Sequence, residues 1–295
     1  MNKLPTSKRA QILSLLCEGM SMRAISRVAD VSFNTVAKAL VDAGKVCAEM
    51  HDEMVRGVTA SHVECDEIWA FSYCKQRTVA TAKAAPEDAG DIWTWTAIDA
   101  DSKLIVSYLV GDRTGAEAVE LMEDMRSRLA NRVQLSTDGF KAYFDAVEDT
   151  FGADIDYGQV VKLYTNPPTA PGRYSPGECT AIKKAVVEGD PDVRRISTSF
   201  VEAHNKTMRM HMRRFTRLTN GHSKKVANHA AMVALYTVFY NFIRTHGKLR
   251  MTPAMAAGIA PTFLTFEDVL ARVDAIQAPK ARGPYEKRAV ISERA

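Results

Sequence analysis

Apolar positions change period along this chain, and each period predicts a different kind of element. Between residues 8 and 44 the spacing is helical. Ile12, Leu13, Leu15 and Leu16 form an apolar stripe that stops at Gly19. Ser21 is placed to cap a second helix with Ala24, Ile25 and Val28 on its inner face. Ala29-Asp30-Val31-Ser32 makes a turn, and Ser32 caps a third helix with Val36, Ala37 and Leu40 inward. Short helix, turn, short helix predicts a helix-turn-helix unit over residues 1–45. Its third helix would enter a major groove led by Phe33, Asn34, Thr35 and Lys38. A plain three-helix bundle is the alternative. Residues 46–60 continue as a helical linker.

Beyond residue 60 the pattern shifts to strands. A strand is predicted around Val63-Glu64-Cys65-Asp66-Glu67-Ile68-Trp69, a second over residues 92–98 and a third over 104–110. The turn Asp99-Ala100-Asp101-Ser102 joins the last two into a hairpin. An amphipathic helix over 114–130 turns Ala118, Leu121, Met122, Met125 and Leu129 inward. A strand over 133–138, a helix near 141–151 and a strand near 160–164 follow. This order predicts an α/β fold with a mixed sheet flanked by helices. Asn166 to Gly177 holds four prolines and two glycines and reads as a loop or insertion, set near 165–195 within a domain over 61–250. Two long helical segments are expected near 198–216 and 223–245. Residues 251–295 form a C-terminal extension with a polar tail after Ala278.

Charge adds a second division. Residues 1–202 carry 23 Lys or Arg against 30 Asp or Glu, whereas 203–266 carry 10 basic residues and no acidic one. That segment cannot neutralise itself locally, so it calls for a polyanion such as double-stranded DNA, or for acids from the first 202 residues. The five cysteines include no Cys-x-x-Cys pair, which fits reduced thiols. No apolar run approaches the roughly 18 residues of a membrane span, and the N-terminus has no signal-peptide core. No membrane and a cytoplasmic, nucleoid-associated location are the expectation. No Gly-rich nucleotide loop occurs, so no nucleotide cofactor is expected.

Three carboxylates stand out. Asp66 and Glu67 lie in an apolar strand signal and point to opposite faces. A buried carboxylate needs compensation, which a cation or a salt bridge would supply. Asp138 ends a strand at Thr137-Asp138-Gly139, where a glycine permits close approach, although Asp-Gly is also a common turn pair. Glu202 either completes a capping box begun by Ser199 or leads a helical stripe of Asn205, Lys206, Arg209 and Arg213. Val201, Met208, Met212 and Phe215 form the separate apolar stripe.

At these residues the chain resembles the DDE transposases of bacterial insertion sequences, especially the insertion sequence 1 type. The resembling segments are Glu64 to Trp69, Trp93 to Asp99, Ser136 to Tyr143, Val201 to Lys206, Arg213 to Asn220 and Tyr240 to His246, the last running into Thr252-Pro253-Ala254. Together with the N-terminal helices they span roughly residues 8–260. The resemblance implies a ribonuclease H-like core with Asp66, Asp138 and Glu202 as catalytic metal ligands for Mg²⁺ or Mn²⁺, two ions in all. It implies binding to terminal inverted repeats, then DNA cleavage and strand transfer by a homodimer or higher oligomer. Lys141, Asn205, Lys206, Arg209, Arg213, Arg214, Arg217, Lys224 and Lys225 are the expected DNA contacts of the core. The competing readings are a helix-turn-helix regulator with a non-catalytic second domain, and a ribonuclease H-like nuclease or resolvase.

Overall fold

A computed structural model describes residues 3–164, 179–216 and 219–277. Three helices come first: α1 (Thr6–Cys17), α2 (Met22–Val28) and α3 (Phe33–Met54). The serine caps form as the sequence predicts. Ser21 Oγ accepts from the Ala24 amide at 3.2 Å, and Ser32 Oγ from the Thr35 amide at 3.1 Å. Ile12, Leu13, Ile25, Val36 and Leu40 are buried. Val28 is not: it is 57% exposed, because α2 is too short to wrap a second turn of apolar surface onto its neighbours. Helix α3 runs without a break through residue 45 into the segment read as a linker. It packs closely on a later helix, α8 (Val226–Val238). At Gly44 a Cβ would lie 2.5 Å from the Ala231 carbonyl oxygen, so only glycine permits this crossing.

The sheet follows. Its strands are β1 (His62–Ser72), β2 (Gly90–Asp99), β3 (Ile105–Gly111), β4 (Gln134–Asp138), β5 (Asp156–Tyr164) and β6 (Cys179–Glu188). A single turn, α4 (Gln76–Val79), sits between β1 and β2; α5 (Gly115–Arg128) and α6 (Lys141–Phe151) connect β3 to β4 and β4 to β5. The spatial order is β3-β2-β1-β4-β5-β6. β1, β2 and β3 form an antiparallel meander, β4 and β5 run parallel to β1, and β6 returns antiparallel to β5. The first five strands have the order and direction of a ribonuclease H-like sheet. β6 falls in the region read as insertion. It is an edge strand exposed along nearly its whole length and carries Lys183 and Lys184, so it has no buried face to imprint an alternating pattern. Asn166 to Gly177, the Pro-rich stretch, lies outside the described residues.

Helices cover both faces. On one side Tyr143 of α6 reaches Glu67, and Asp124 of α5 bonds Ser107 of β3. On the other lie α7 (Ser199–His211) and α8. The α8 side chain of His229 meets Thr94 of β2 at 3.4 Å. Helix α8 continues through a π-helical turn, Phe239–Ile243. Against the sequence expectation, Val226–Ile243 is by length and composition apolar enough to cross a membrane, and 67% of it is buried within the fold. Its polar side chains are used internally: Asn241 donates to the Ile105 carbonyl and accepts from the Ile105 amide, both at 2.9 Å. After the short α9 (Pro253–Ala256), α10 (Phe266–Ile276) packs on α1 and α3. Its start is a capping box of Thr265 and Asp268, and Arg9 of α1 pairs with its Asp274 at 2.6 Å.

Candidate active site

The register of β1 against β4 places the two aspartates. His62, Val63 and Glu64 pair with Gln134, Leu135 and Ser136. Continued by two residues, the same offset sets Asp66 level with Asp138 as the strands part. Alternation puts Glu64 and Asp66 on one face of β1 and Glu67 on the other. Contacts agree: Asp66 Oδ2 accepts from Asn205 Nδ2 of α7 at 2.8 Å, whereas Glu67 accepts from Tyr143 of α6 at 3.0 Å.

These two neighbouring acids have different surroundings. Glu67 is also paired with Arg113 Nε at 2.5 Å, and the Arg113 guanidinium lies 4.0 Å from the centre of the Phe140 ring. Burial and the Asp138 charge raise the Glu67 pKa, while Arg113 opposes the rise. Among the described residues Asp66 has no such cation. Burial, then the charges of Glu67 and Asp138, push it up to about 7, and Glu202 adds to the same effect. Asp138 stands at the end of β4, where its Oδ1 accepts from the Phe140 amide at 2.9 Å. That contact shapes the turn into α6 and uses one oxygen.

Glu202 sits in the first turn of α7, whose cap is Thr198 rather than Ser199. The capping-box alternative does not form. Glu202 Oε1 instead accepts from the Thr198 hydroxyl at 2.6 Å and from the Lys162 ammonium of β5. Burial opposes its ionisation, but Lys162 and Thr198 outweigh that and hold the carboxyl below its ordinary range. The free amides at the start of α7 are taken by Glu64. Its Oε2 accepts from Phe200 N at 2.7 Å and Val201 N at 3.0 Å. Glu64 is fully buried, its Oε1 has no partner among the described residues, and burial pushes it up to about 7 despite the two amides. Glu64 and Lys162 were not singled out from the sequence. The period of two that selects Asp66 also selects Glu64; Lys162 had no local signal.

Asp66, Asp138, Glu202 and Lys162 thus surround the region under the first turn of α7. Among the described residues no three His, Cys, Asp or Glu side chains converge closely enough to hold a metal ion. Glu202 is turned to Lys162 instead.

The expected DNA contacts divide into groups. Phe33, Asn34 and Lys38 are exposed at the start of α3, with Thr35 half-buried. Lys141 is exposed on the first turn of α6, three residues past Asp138, and Lys206 is exposed on α7. Asn205 is turned inward, 7% exposed and bonded to Asp66, because its place one turn after Glu202 faces the sheet. Arg209 is half-buried, with Nη1 3.4 Å from the Phe215 carbonyl. Arg213 does not extend the α7 stripe: the helix ends at His211, and Arg213–Phe215 form a 3₁₀ turn. That break still buries Met212 and Phe215. Arg214, Lys224 and Lys225 gather with Arg213 around one cleft, and Arg217 lies outside the described residues.

No protein-family model and no curated protein matches the chain. Among solved structures, a piggyBac transposase synaptic complex with hairpin DNA is similar at 10% identity and a TM-score of 0.44, over 92% of this chain and 71% of that one. A Mos1 transposase paired-end complex with the left transposon end is similar at 16% identity and a TM-score of 0.20, over 50% of this chain and 58% of that one. A Mos1 mariner paired-end complex with Mn gives 16% identity and a TM-score of 0.19, over 50% and 59%. The chain therefore spans less than two thirds of the Mos1 chains. At these levels of superposition the fold assignment rests on the strand order and direction given above.

Proposed function

We propose that the protein is a DNA transposase of the DDE type, with Asp66, Asp138 and Glu202 as its metal-binding carboxylates. The observation that carries this reading is Asp66. It is a half-buried acid with no cation partner among the described residues, level with Asp138 and hydrogen-bonded to the helix that carries Glu202. An uncompensated carboxylate costs stability, and its retention here fits a bound cation. The donors are all oxygens, which suits Mg²⁺ or Mn²⁺. Asp66 and Asp138 fit as they stand; Glu202 fits once its oxygen exchanges Lys162 for the ion. When bound, two such ions would supply Lewis-acid activation of the attacking and leaving oxygens of a phosphodiester.

The chain's own residues do the rest. Asn205 orients the Asp66 carboxylate, and Glu64 fixes the start of α7 and hence the position of Glu202. Lys162, once released, is placed beside the reacting phosphate, and the exposed Lys141 and Lys206 flank it. Hydrolysis at an element end frees a 3′-hydroxyl, and that hydroxyl attacks target DNA, displacing one strand's 3′ oxygen. Terminal inverted repeats of an insertion-sequence element are the DNA this reading assigns, bound by a homodimer or higher oligomer that joins two ends.

The test is Asp138→Asn, assayed with Mg²⁺ and the element's own ends. Cleavage and strand transfer should vanish while binding to the ends persists. Metal-dependent strand transfer retained by the variant overturns the assignment. Cleavage without joining on a supercoiled target identifies a nuclease or resolvase. Binding with no cleavage by the wild type identifies a regulator.

A further inference from the structure

A cleft of 710 Å³ opens between the N-terminal helices and the chain around residues 213–232. Arg23, Arg213, Arg214, Lys224 and Lys225 line it, together with Phe33, and none of its lining residues is acidic. Arg214 is half-buried in its wall. It donates to Ser223 Oγ at 3.0 Å and meets Met22 Sδ at 3.6 Å. Among the described residues no carboxylate pairs with it. Beside it His229 is buried and held neutral, its pKa lowered to about 3 by burial and the Arg214 charge, so it offers no compensation. A largely desolvated guanidinium in a basic, acid-free cleft is a site for a mobile anion.

Phe33 narrows the choice of anion. Its ring is 46% exposed at the cleft, with the Arg23 guanidinium 6.0 Å from its centre. An exposed aromatic beside a row of cations is the chemistry of base stacking plus phosphate contact. The volume is that of a small-ligand pocket and suits one or two nucleotides.

We propose that this cleft holds an unpaired nucleotide of a single DNA strand, with its phosphate on Arg214 and its base against Phe33. The proposal deepens the DNA reading above but uses neither metal nor the three carboxylates. It would give the protein a place for a frayed or nicked strand next to the helix whose first residues face DNA.

The experiment measures binding of a fluorescein-labelled 12-nucleotide oligo-dT and of a random duplex of the same length, in EDTA, across a salt series. Phe33→Ser should weaken oligo-dT binding about tenfold and duplex binding, to which Phe33 also contributes from the start of α3, by clearly less, whereas Phe33→Trp keeps a stacking face and should hold oligo-dT binding within twofold. Lys224→Ala and Lys225→Ala together, both exposed, should flatten the log K against log salt slope for oligo-dT by about 1.4, that is about 0.7 for each lost phosphate contact. Arg214→Met is expected to weaken oligo-dT binding further, provided its thermal unfolding matches the wild type. Equal loss of single-strand and duplex binding in Phe33→Ser overturns the proposal, as does an unchanged salt slope in the lysine variant. Because the assay contains EDTA, these outcomes are independent of whether Asp138→Asn abolishes cleavage.

Discussion

Replacing Asp66 by Asn should stabilise the metal-free protein, and the gain should depend on pH. In the folded chain burial, Glu67 and Asp138 lift this carboxyl from 3.8 to about 7. At 1.36 kcal/mol for each tenfold change in proton affinity, that opposes the ionised form by about 4 kcal/mol at most. Solvent reaches part of the side chain and Asn205 donates to it, so about 2–3 kcal/mol is the expectation. The sign follows from where protons sit. Below pH 4 the folded and unfolded states both hold this proton, and wild type and variant should differ little. Between pH 4 and 7 the unfolded chain releases it and the folded chain keeps it, so the wild type loses stability relative to Asp66→Asn. Above pH 7 the difference is complete, a melting shift of roughly 5–10 °C for a chain of this size. Scanning calorimetry in EDTA at pH 4, 6 and 8 reads it. Adding Mg²⁺ at pH 8 should raise the wild-type melting temperature and leave the variant unmoved. A variant less stable than wild type at pH 8, or a pH-independent difference, would show that Asp66 is already compensated within the fold and remove the reason for a cation.

Two further substitutions test its neighbours. Arg113→Met strips the cation from buried Glu67 and should cost about 3 kcal/mol at pH 8 by urea unfolding, whereas in a Glu67→Gln background it should cost under about 1; equal costs in both backgrounds would mean that Glu67 is not held by the pair. Glu64→Ala leaves the Phe200 and Val201 amides without an acceptor and should cost about 1–3 kcal/mol. Its amide hydrogen exchange should quicken in the first turn of α7 and not in α8; unchanged protection there would refute the anchoring role.

How much of this was legible depends on where each signal resides. The three-helix start, the meander and the α5–β4–α6–β5 run were readable because each has its own caps or its own buried face. β6 was not, since an exposed edge strand leaves no alternation to detect. α10 was readable in principle: Thr265-Phe266-Glu267-Asp268 is a capping pattern before the apolar Val269, Leu270 and Val273. The site was half legible. Period-two spacing separates Asp66 from Glu67, and the structure gives each face its partner. Glu202 could not be resolved locally, because Ser199 and Glu202 satisfy a capping pattern whether or not the box forms.

What resolves it is a contact across 136 residues. A helix start needs acceptors for its first amides, and any acceptor in space will serve. Glu64 serves from β1, so the helix does not need Glu202 for capping, and Glu202 is free to answer to Lys162 and the aspartates. Three acids on one strand therefore have three fates. Glu67 takes a guanidinium, Glu64 takes two helix amides, and Asp66 takes a side-chain amide from Asn205 and the backbone amide of Glu67. The first two arrangements oppose part of the cost of burial, and with the Tyr143 hydroxyl on Glu67 they tie α6 and α7 to the sheet. Glu64 still keeps one oxygen without a partner among the described residues and a raised pKa, whereas Asp66 carries its unrelieved charge at the level where β1 and β4 part and Asp138 emerges. Glu64 is sealed beneath α7 and Glu67 is paired with Arg113, so Asp66, half-buried and level with Asp138, is the acid of β1 that a divalent cation and a phosphodiester could reach.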